Sequence, residues 1–277
     1  TFGILFSILF EAIEFFQLRS FWYFLTGTIW SPGVANSQFG ALPIFAGTFV
    51  ITIIALLVAI PIGLGSAIYM SEYASPKFRD YLKPILEILA GIPTVVYGFF
   101  AAITVAPLVV KAAAFFGLEA TFNSALASGI VMGIMIIPLI SSLSDDVIRA
   151  VPDSQRKAAF ALGMTHGETI KNIVIPSAMP GIISASLLAL SRALGETMIV
   201  VMAAGLRPNL SWNPLEDMTT VTVTIVNSLV GDFEFNSPET LSAFALGLVL
   251  FIVTLILNMI SLSLIRKFKE KYKVNTL

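Results

Sequence analysis

Cysteine is absent from the 277 residues of the sequence, and histidine occurs once. Without cysteine the chain has no disulfide bond, no thiolate nucleophile and no cysteine-ligated metal, and a single histidine argues against a histidine-rich catalytic metal site. We therefore predict that the chain itself contributes no catalytic residue, no metal ion and no cofactor.

Charged residues are also scarce, at 12% of the chain against 57% hydrophobic residues, and the mean hydropathy is +0.91. A soluble globular domain cannot carry so much apolar surface, so a water-soluble enzyme is nearly excluded. The net charge of -1 provides no electrostatic footprint for nucleic acid, and no nucleic-acid partner is expected.

Long uncharged stretches dominate the chain, and a helix needs about 20 apolar residues to cross a bilayer. Six spans are predicted, the first incomplete, at about residues 1–18, 43–70, 85–110, 122–146, 176–206 and 240–266. Outer loops are expected at 19–42 and 207–239, and an inner loop at 147–175. Because backbone polar groups in lipid must be satisfied internally and no barrel-strand pattern occurs, the predicted fold class is an all-α polytopic membrane protein, with one transmembrane domain over 1–277.

Basic residues set the expected orientation. Placing the segments after spans two, four and six inside collects twelve of the 16 basic residues there, namely Lys77, Arg79, Lys83, Arg149, Arg156, Lys157, Lys171, Arg266, Lys267, Lys269, Lys271 and Lys273. Arg19, Lys111 and Arg207 remain outside, and Arg192 falls within a span. The C-terminal run is a topology signal that also attracts anionic lipid, so the C-terminus is expected on the inner face.

Residues 207–239 form an acidic outer segment with one basic residue, Arg207. Its acidic residues are Glu216, Asp217, Asp232, Glu234 and Glu239. This acidity would repel anions, so an exposed loop that contacts a partner is favoured over an anion funnel. The middle of the segment, TTVTVTIVNSLV, fits a short helix or a strand, and propensity does not decide between them.

The inner loop has the pattern of two short helices. Pro152 disfavours continuation of the preceding helix, and the Asp-Ser pair after it can cap a new helix predicted over Ser154–Leu162. Gly163 suits the end of that helix, and Gly167 indicates a second bend before a helix leading to Pro176. A folded loop of this length is expected to be a docking surface.

Arg192 is a charge that the apolar pattern does not explain. It lies sixteen residues after Pro176 and fifteen before Arg207, near the middle of the predicted span. An arginine there costs about 2.5–3.5 kcal/mol even on lenient insertion scales, so its side chain is expected to face protein or water and to serve function. Glu196 follows four residues later, and on a continuous helix the two side chains share one face and can pair.

A structural explanation of the same pair stays open. Gly181, Ala185 and Ala189 form a small-residue stripe that runs into Arg192 and Glu196, and such a stripe allows another helix to pack closely. The two charges then fix helix packing or, if the stripe faces a homologous subunit, lie at the dimer axis where a channel is expected.

The inner loop resembles the EAA loop of ABC-importer permease subunits. The matching residues are Lys157, Ala158, Ala159, Gly163, Ile173, Ile175 and Pro176. The resemblance implies the type I importer permease fold, with a cytoplasmic coupling helix that sits in a cleft of a nucleotide-binding subunit, and His166 is expected to contact that subunit. The family's leading glutamate is Lys157 here, so no ion pair to the ATPase is implied at that position.

Two further segments are similar to phosphate-importer permeases of the PstC type, GIPTVVYG at 91–98 and LSRALGETM at 190–198. The resemblance implies a prokaryotic inner-membrane importer in which a homologous PstA-type permease completes the pathway. Two PstB-type ATPase subunits would use ATP and magnesium, and a PstS-type extracytoplasmic protein would bind phosphate. Sulfate, molybdate and tungstate permeases, which have a related Arg and Gly-Glu in this helix, remain the alternative.

An electrostatic role for the charged pair follows from side-chain chemistry. The Arg192 guanidinium offers a fork of donors matched to an oxyanion. Glu196 would keep the site weak by competing for Arg192, and would accept a hydrogen bond from hydrogen phosphate, which sulfate cannot donate near pH 7. Thr94 and Ser191 could line the path with their hydroxyls or bond their own helix backbones.

Other classes of function are also considered. The chain has no GxxxxGK[ST] loop, so energy for transport must come from a partner. An intramembrane lipid-modifying enzyme would need a catalytic cluster at a membrane face, and the sequence offers no such constellation. An ion-coupled secondary transporter fits less well, because no internal repeat is evident.

Overall fold

The computed structural model describes residues 2–33, 37–230 and 237–271, so Asp232, Glu234 and Lys273 lie outside the described residues. Its α-helices are α1 (Phe2–Leu18), α2 (Phe21–Thr26), α3 (Leu42–Ile68), α4 (Pro76–Gly91), α5 (Thr94–Phe100), α6 (Ala106–Phe115), α7 (Ala125–Arg149), α8 (Asp153–Ala161), α9 (His166–Thr169), α10 (Ile175–Leu194), α11 (Met198–Ala203), α12 (Val221–Val230) and α13 (Pro238–Lys271). Strand β1 (Trp30–Ser31) pairs antiparallel with β2 (Gln38–Phe39). π-Helical turns follow α3 (Tyr69–Tyr73), α5 (Ala101–Val105) and α9 (Ile170–Val174).

Several of these helices join into stretches of membrane-spanning length. Within the described ranges, five are long and apolar enough to cross a bilayer: Leu42–Tyr73, Thr94–Phe115, Ala125–Arg149, His166–Leu194 and Pro238–Lys267. The 17-residue helix α1 adds a further apolar element at the N-terminal end. The predicted all-α polytopic fold class is confirmed.

The span predicted over 85–110 is divided in the structure. Helix α4 ends at Gly91, and Pro93 occupies the N-cap position of α5. Ile92 is extended, as expected for a residue before proline, which disfavours helical geometry there. Helix α4 buries none of its residues, so the membrane-length stretch begins only at Thr94.

The span predicted over 176–206 is also corrected to two helices. Helix α10 ends at Leu194, and α11 begins at Met198 after a three-residue break. The middle of the outer segment is the helix α12. Of the helix and the strand that propensity left open there, the helix is therefore correct.

A loop before α12 folds around one acidic side chain. The side-chain amides of Asn209 and Asn213 donate to the Glu216 carboxylate at 2.8 and 3.0 Å. Hydrogen bonds from Asn209, Ser211 and Asn213 hold the pKa of Glu216 below its ordinary value. This acidic residue is therefore engaged within the segment that carries it.

The chain divides into two compact units. Unit 1 comprises Thr1–Ala55, Pro93–Met132 and Ala193–Leu255. Its core includes Phe15, whose ring meets those of Phe24 and Phe39 edge-on at centroid distances of 5.4 Å. Unit 2 comprises Leu56–Ile92, Gly133–Arg192 and Ile256–Leu277, with an apolar core formed by residues such as Ala67, Ile148, Val174 and Ile182.

Gly47 of α3 tests the close packing of unit 1. A Cβ at Gly47 would overlap the backbone carbonyl oxygen of Thr219, which cannot move as a side chain can. We expect Gly47→Ala to lower the free energy of unfolding by about 1–3 kcal/mol, the usual cost of overpacking. Gly65→Ala on the same helix is the matched control, because its Cβ meets nothing within 4 Å. Equal thermal midpoints of the two purified variants in detergent would contradict this packing.

Candidate translocation site and coupling loop

The break between α10 and α11 contains one of the predicted pathway residues. Glu196 lies in this break and is 8% exposed. Its Oε1 accepts hydrogen bonds from the backbone amides of Met198 at 3.1 Å and Ile199 at 3.5 Å, the first two residues of α11. Its carbonyl oxygen accepts from Thr222 Oγ1 at 2.8 Å. The carboxylate therefore caps a helix N-terminus, where unpaired amides favour negative charge.

This geometry corrects two predictions about the charged pair. Because α10 ends at Leu194, Arg192 and Glu196 do not lie on one face of a continuous helix. The midpoint estimate for Arg192 also assumed an unbroken helix over 176–206, so it no longer holds. The Glu196 side chain accepts its hydrogen bonds from the backbone amides of Met198 and Ile199.

Arg192 lies on the exposed face of α10. Ser184, Leu188 and Arg192, spaced by four residues, are all exposed. A guanidinium within an apolar helix needs protein or water around it, so this face is where material outside the single chain is expected to cover α10.

The small-residue stripe lies on a buried face of the same helix. Ala185 and Ala189 are buried, and a Cβ at Gly181 would overlap the side chain of Val147 on α7. The stripe therefore packs within the chain, and the alternative in which it faces a homologous subunit is corrected. Close helix packing through small residues explains its composition.

Ser191 contacts a polar residue that the sequence reasoning missed. Its hydroxyl donates to Oδ1 of Asn258 on α13 at 3.4 Å. Asn258 is exposed, and it interrupts the apolar run VTLILNMISL. An asparagine inside a predicted span is a signal of the same kind as Arg192, although weaker, and it could have been singled out.

The two segments that carry the PstC resemblance meet in unit 1. A Cβ at Gly98 of α5 would lie 2.8 Å from Met202 Sδ and 3.0 Å from the carbonyl oxygen of Met198. Thr94 is the first residue of α5, one helical turn before Gly98, and is half-buried. The glycine thus allows α5 to approach α11 close to the Glu196 cap.

The coupling loop contains α8 within one residue of the predicted Ser154–Leu162 helix. Its exposed residues include Lys157, Ala158 and Phe160, followed by Leu162, which is 84% exposed; Ala159 is buried. Gly163 has φ of +80°, the left-handed conformation that ends many helices. An exposed apolar tip of this kind is suited to a docking contact.

The second bend of the loop lies before α9, not at Gly167. Thr165 and Glu168 form a capping box, in which Glu168 Oε2 accepts from the Thr165 amide at 2.8 Å and Thr165 Oγ1 accepts from the Glu168 amide at 3.3 Å. Gly167 lies inside α9. Pro176 is the second residue of α10 and is half-buried.

His166 is exposed but packs against its own chain. Its ring stacks on Phe160 at a centroid distance of 6.2 Å and meets Tyr73 edge-on at 5.1 Å. Its Nε2 lies 3.2 Å from the carbonyl oxygen of Glu72. The contact of His166 with another subunit stays a prediction.

Ion pairs also connect α4 to α7. Arg79 Nη2 lies 2.8 Å from Asp145 Oδ2, and Lys83 Nζ lies 2.9 Å from Asp146 Oδ1. These basic residues were used to predict topology from the sequence, and neither ion pair was predicted. In the described part of the chain, no group of three or more acidic or histidine side chains is placed to hold a metal ion.

Five membrane-length stretches in the described residues, an exposed arginine near the end of α10 and a two-helix loop with an exposed tip are the features expected of the membrane subunit of a transport system. Residues 59–273 match the family described as the binding-protein-dependent transport system inner membrane component, and the chain belongs to this family. Importer permeases of this kind work in the inner membrane with ATPase and substrate-binding partners.

Individual relatives agree with this assignment. The chain is 35% identical over 251 residues to the probable ABC transporter permease protein YqgH of Bacillus subtilis. The alignment covers 91% of this chain and 78% of that protein. It is 32% identical over 288 aligned positions to the phosphate transport system permease protein PstC 1 of Mycobacterium tuberculosis. This alignment covers 93% of this chain and 85% of that protein. These relatives are transport subunits, so the prediction that the chain is not an enzyme is confirmed.

A solved structure supports the fold. A chain of a bacterial ABC transporter involved in the import of the acidic polysaccharide alginate matches with a TM-score of 0.60, at 15% identity and with 96% of each chain covered. At this identity the likeness shows the importer permease fold alone.

Gly98 tests the contact between α5 and α11. We expect Gly98→Ala to separate the two helices and loosen the Glu196 cap, because the new Cβ meets a backbone carbonyl oxygen as well as a flexible methionine. Hydrogen exchange at the amides of Met198 and Ile199 should become at least about tenfold faster, which corresponds to roughly 1.4 kcal/mol of opening free energy. Gly91→Ala is the control, since its Cβ meets nothing within 4 Å. Unchanged exchange in Gly98→Ala would show that the contact does not support the cap.

Proposed function

We propose that the chain is the phosphate-translocating permease subunit of an ATP-driven importer. The observation that carries this proposal is identity of 32–35% over most of the chain to proteins named phosphate transport system permease protein PstC, from Mycobacterium tuberculosis and Mesorhizobium japonicum. The two PstC-like segments also pack against each other at Gly98, where α5 approaches α11.

The proposed partners are of the types expected to accompany a PstC-type permease. A PstA-type permease completes the pathway, two PstB-type subunits hydrolyse ATP with magnesium, and a PstS-type protein delivers phosphate from outside. Helix α8 docks on an ATPase subunit through its exposed tip, which includes Phe160 and Leu162. The excess of basic residues on the same predicted side supports a cytoplasmic position for this loop and the C-terminus.

Arg192 supplies the electrostatic step of translocation. Its guanidinium replaces part of the water that a phosphate ion loses on entering the membrane. Its exposed position on α10 leaves it free to face a conduit completed by the second permease. Binding stays weak enough for release, as a transport path requires.

Glu196 has a more restricted role than the sequence predicted. Since its Oε1 caps α11, the carboxylate is held in place and does not swing to compete for Arg192. A fixed acceptor of this kind can receive a hydrogen bond from the protonated oxygen of hydrogen phosphate. Sulfate offers no proton near pH 7, so the acceptor favours phosphate.

Replacement of Arg192 tests this function. We expect Arg192→Gln to reduce ATP-driven uptake of labelled phosphate by at least about a hundredfold, because a charge-assisted bidentate contact is replaced by a neutral amide. The measurement uses the assembled transporter in proteoliposomes, with subunit content checked by electrophoresis. Arg266→Gln, an exposed arginine near the C-terminus, is the control and should transport normally. Normal uptake by a fully assembled Arg192→Gln transporter would refute the role of Arg192.

A further inference from the structure

A buried ion pair joins the coupling loop to a membrane-length helix. Arg156 Nη2 lies 2.8 Å from Glu72 Oε1, and the two side chains are only 16% and 5% exposed. Arg156 belongs to α8, and Glu72 lies in the π-helical turn that ends the α3 stretch. The pair therefore connects two elements that are 84 residues apart in the sequence.

The same guanidinium binds the end of α7. Arg156 Nη2 donates to the carbonyl oxygen of Ile148 at 3.0 Å, and Nη1 donates to the carbonyl oxygen of Val151. Ile148 lies in the last turn of α7, where carbonyls lack partners within the helix, and a cationic side chain there complements the helix dipole. Val151 lies two residues after α7 ends. One side chain of α8 thus fixes the ends of two membrane-length helices.

Glu72 contacts the other half of the loop as well. Its carbonyl oxygen lies 3.2 Å from His166 Nε2 on α9, and the neighbouring Tyr73 ring packs against the His166 ring. Both short helices of the coupling loop consequently contact the same π-helical turn at the end of the α3 stretch.

Burial distinguishes this ion pair from the other carboxylate near Arg156. Asp153 lies 3.4 Å from Arg156 Nη1, but its side chain is 83% exposed. An exposed pair of this kind contributes little, whereas removing one partner of a buried pair leaves an uncompensated charge. Glu72 is therefore the anionic partner on which the orientation of Arg156 depends.

We infer that Glu72 and Arg156 are positioning residues for energy coupling. They hold α8 rigidly on the ends of the α3 stretch and α7, so a displacement that an ATPase subunit imposes on α8 is transmitted to the membrane helices. Without the pair, α8 still presents its exposed tip to the ATPase, but its motion is no longer passed on. This inference rests on the proposed function of α8 as the ATPase-docking element.

The test separates ATP hydrolysis from transport. The assembled transporter is prepared with Glu72→Gln, Glu72→Asp, Arg156→Lys or Asp153→Asn, and phosphate uptake and ATP hydrolysis are measured on the same proteoliposomes. We expect Glu72→Gln to retain its ATPase subunits and hydrolysis within about twofold, while phosphate transported per ATP falls by about tenfold, a typical size for coupling between sites. Glu72→Asp should recover part of the ratio, because it restores the charge. Asp153→Asn should leave the ratio unchanged.

Arg156→Lys provides a second route to the same conclusion. It keeps the positive charge but cannot form the fork of bonds to Glu72 and two carbonyl oxygens, so the ratio should also fall. A wild-type ratio in both Glu72→Gln and Arg156→Lys would overturn the inference. A purely structural role would also overturn it, and would appear as equal losses of hydrolysis and transport with an unchanged ratio. If the wild-type complex carries another oxyanion, the proposed substrate is wrong, but the ratio measured with that oxyanion still tests the pair.

Discussion

The cap that the Glu196 carboxylate places on α11 is the interaction on which the helix break after α10 depends. A helix of six residues is not stable on its own, since nucleation is unfavourable and few internal hydrogen bonds repay it. The carboxylate satisfies amides at its N-terminus, the Thr222 hydroxyl fixes the backbone at the break, and Gly98 lets α5 pack directly on it. Together these contacts satisfy amides that follow the end of α10 at Leu194.

A buried carboxylate is also the main anchor of the coupling loop. Glu72 holds Arg156 through its side chain and His166 through its carbonyl oxygen. In each unit, an acidic residue that is almost fully buried orders a short helix, through amides in one case and a guanidinium in the other. The scarcity of charge in the sequence makes these residues informative, because a buried charge persists only where it has partners.

The sequence predicts elements whose signals are local. Apolar length identifies the spanning stretches, and the Pro152 turn with Gly163 places α8 to within one residue. The break at Gly195–Thr197 was missed because one span was extended over residues 176–206, and α11 is too short to show helical periodicity. The pairing of Glu72 with Arg156 has no local signal at all, since it joins residues 84 positions apart. Arg192 is found from the sequence because a charge in an apolar stretch stands out, whereas its surroundings depend on tertiary packing.

The central claim is that Arg192 faces an aqueous anion path in the assembled transporter. The absence of cysteine makes a direct measurement simple, because Arg192→Cys carries the only thiol of the chain. Labelling of that thiol by a water-soluble thiosulfonate is followed by mass spectrometry of this subunit, with Leu57→Cys, exposed on α3 in the single chain, as the reference. We predict that Arg192→Cys reacts at least about tenfold faster than Leu57→Cys, because only the thiolate in water is nucleophilic. Labelling of Arg192→Cys that is as slow as that of Leu57→Cys would place the residue away from any aqueous path and contradict the account.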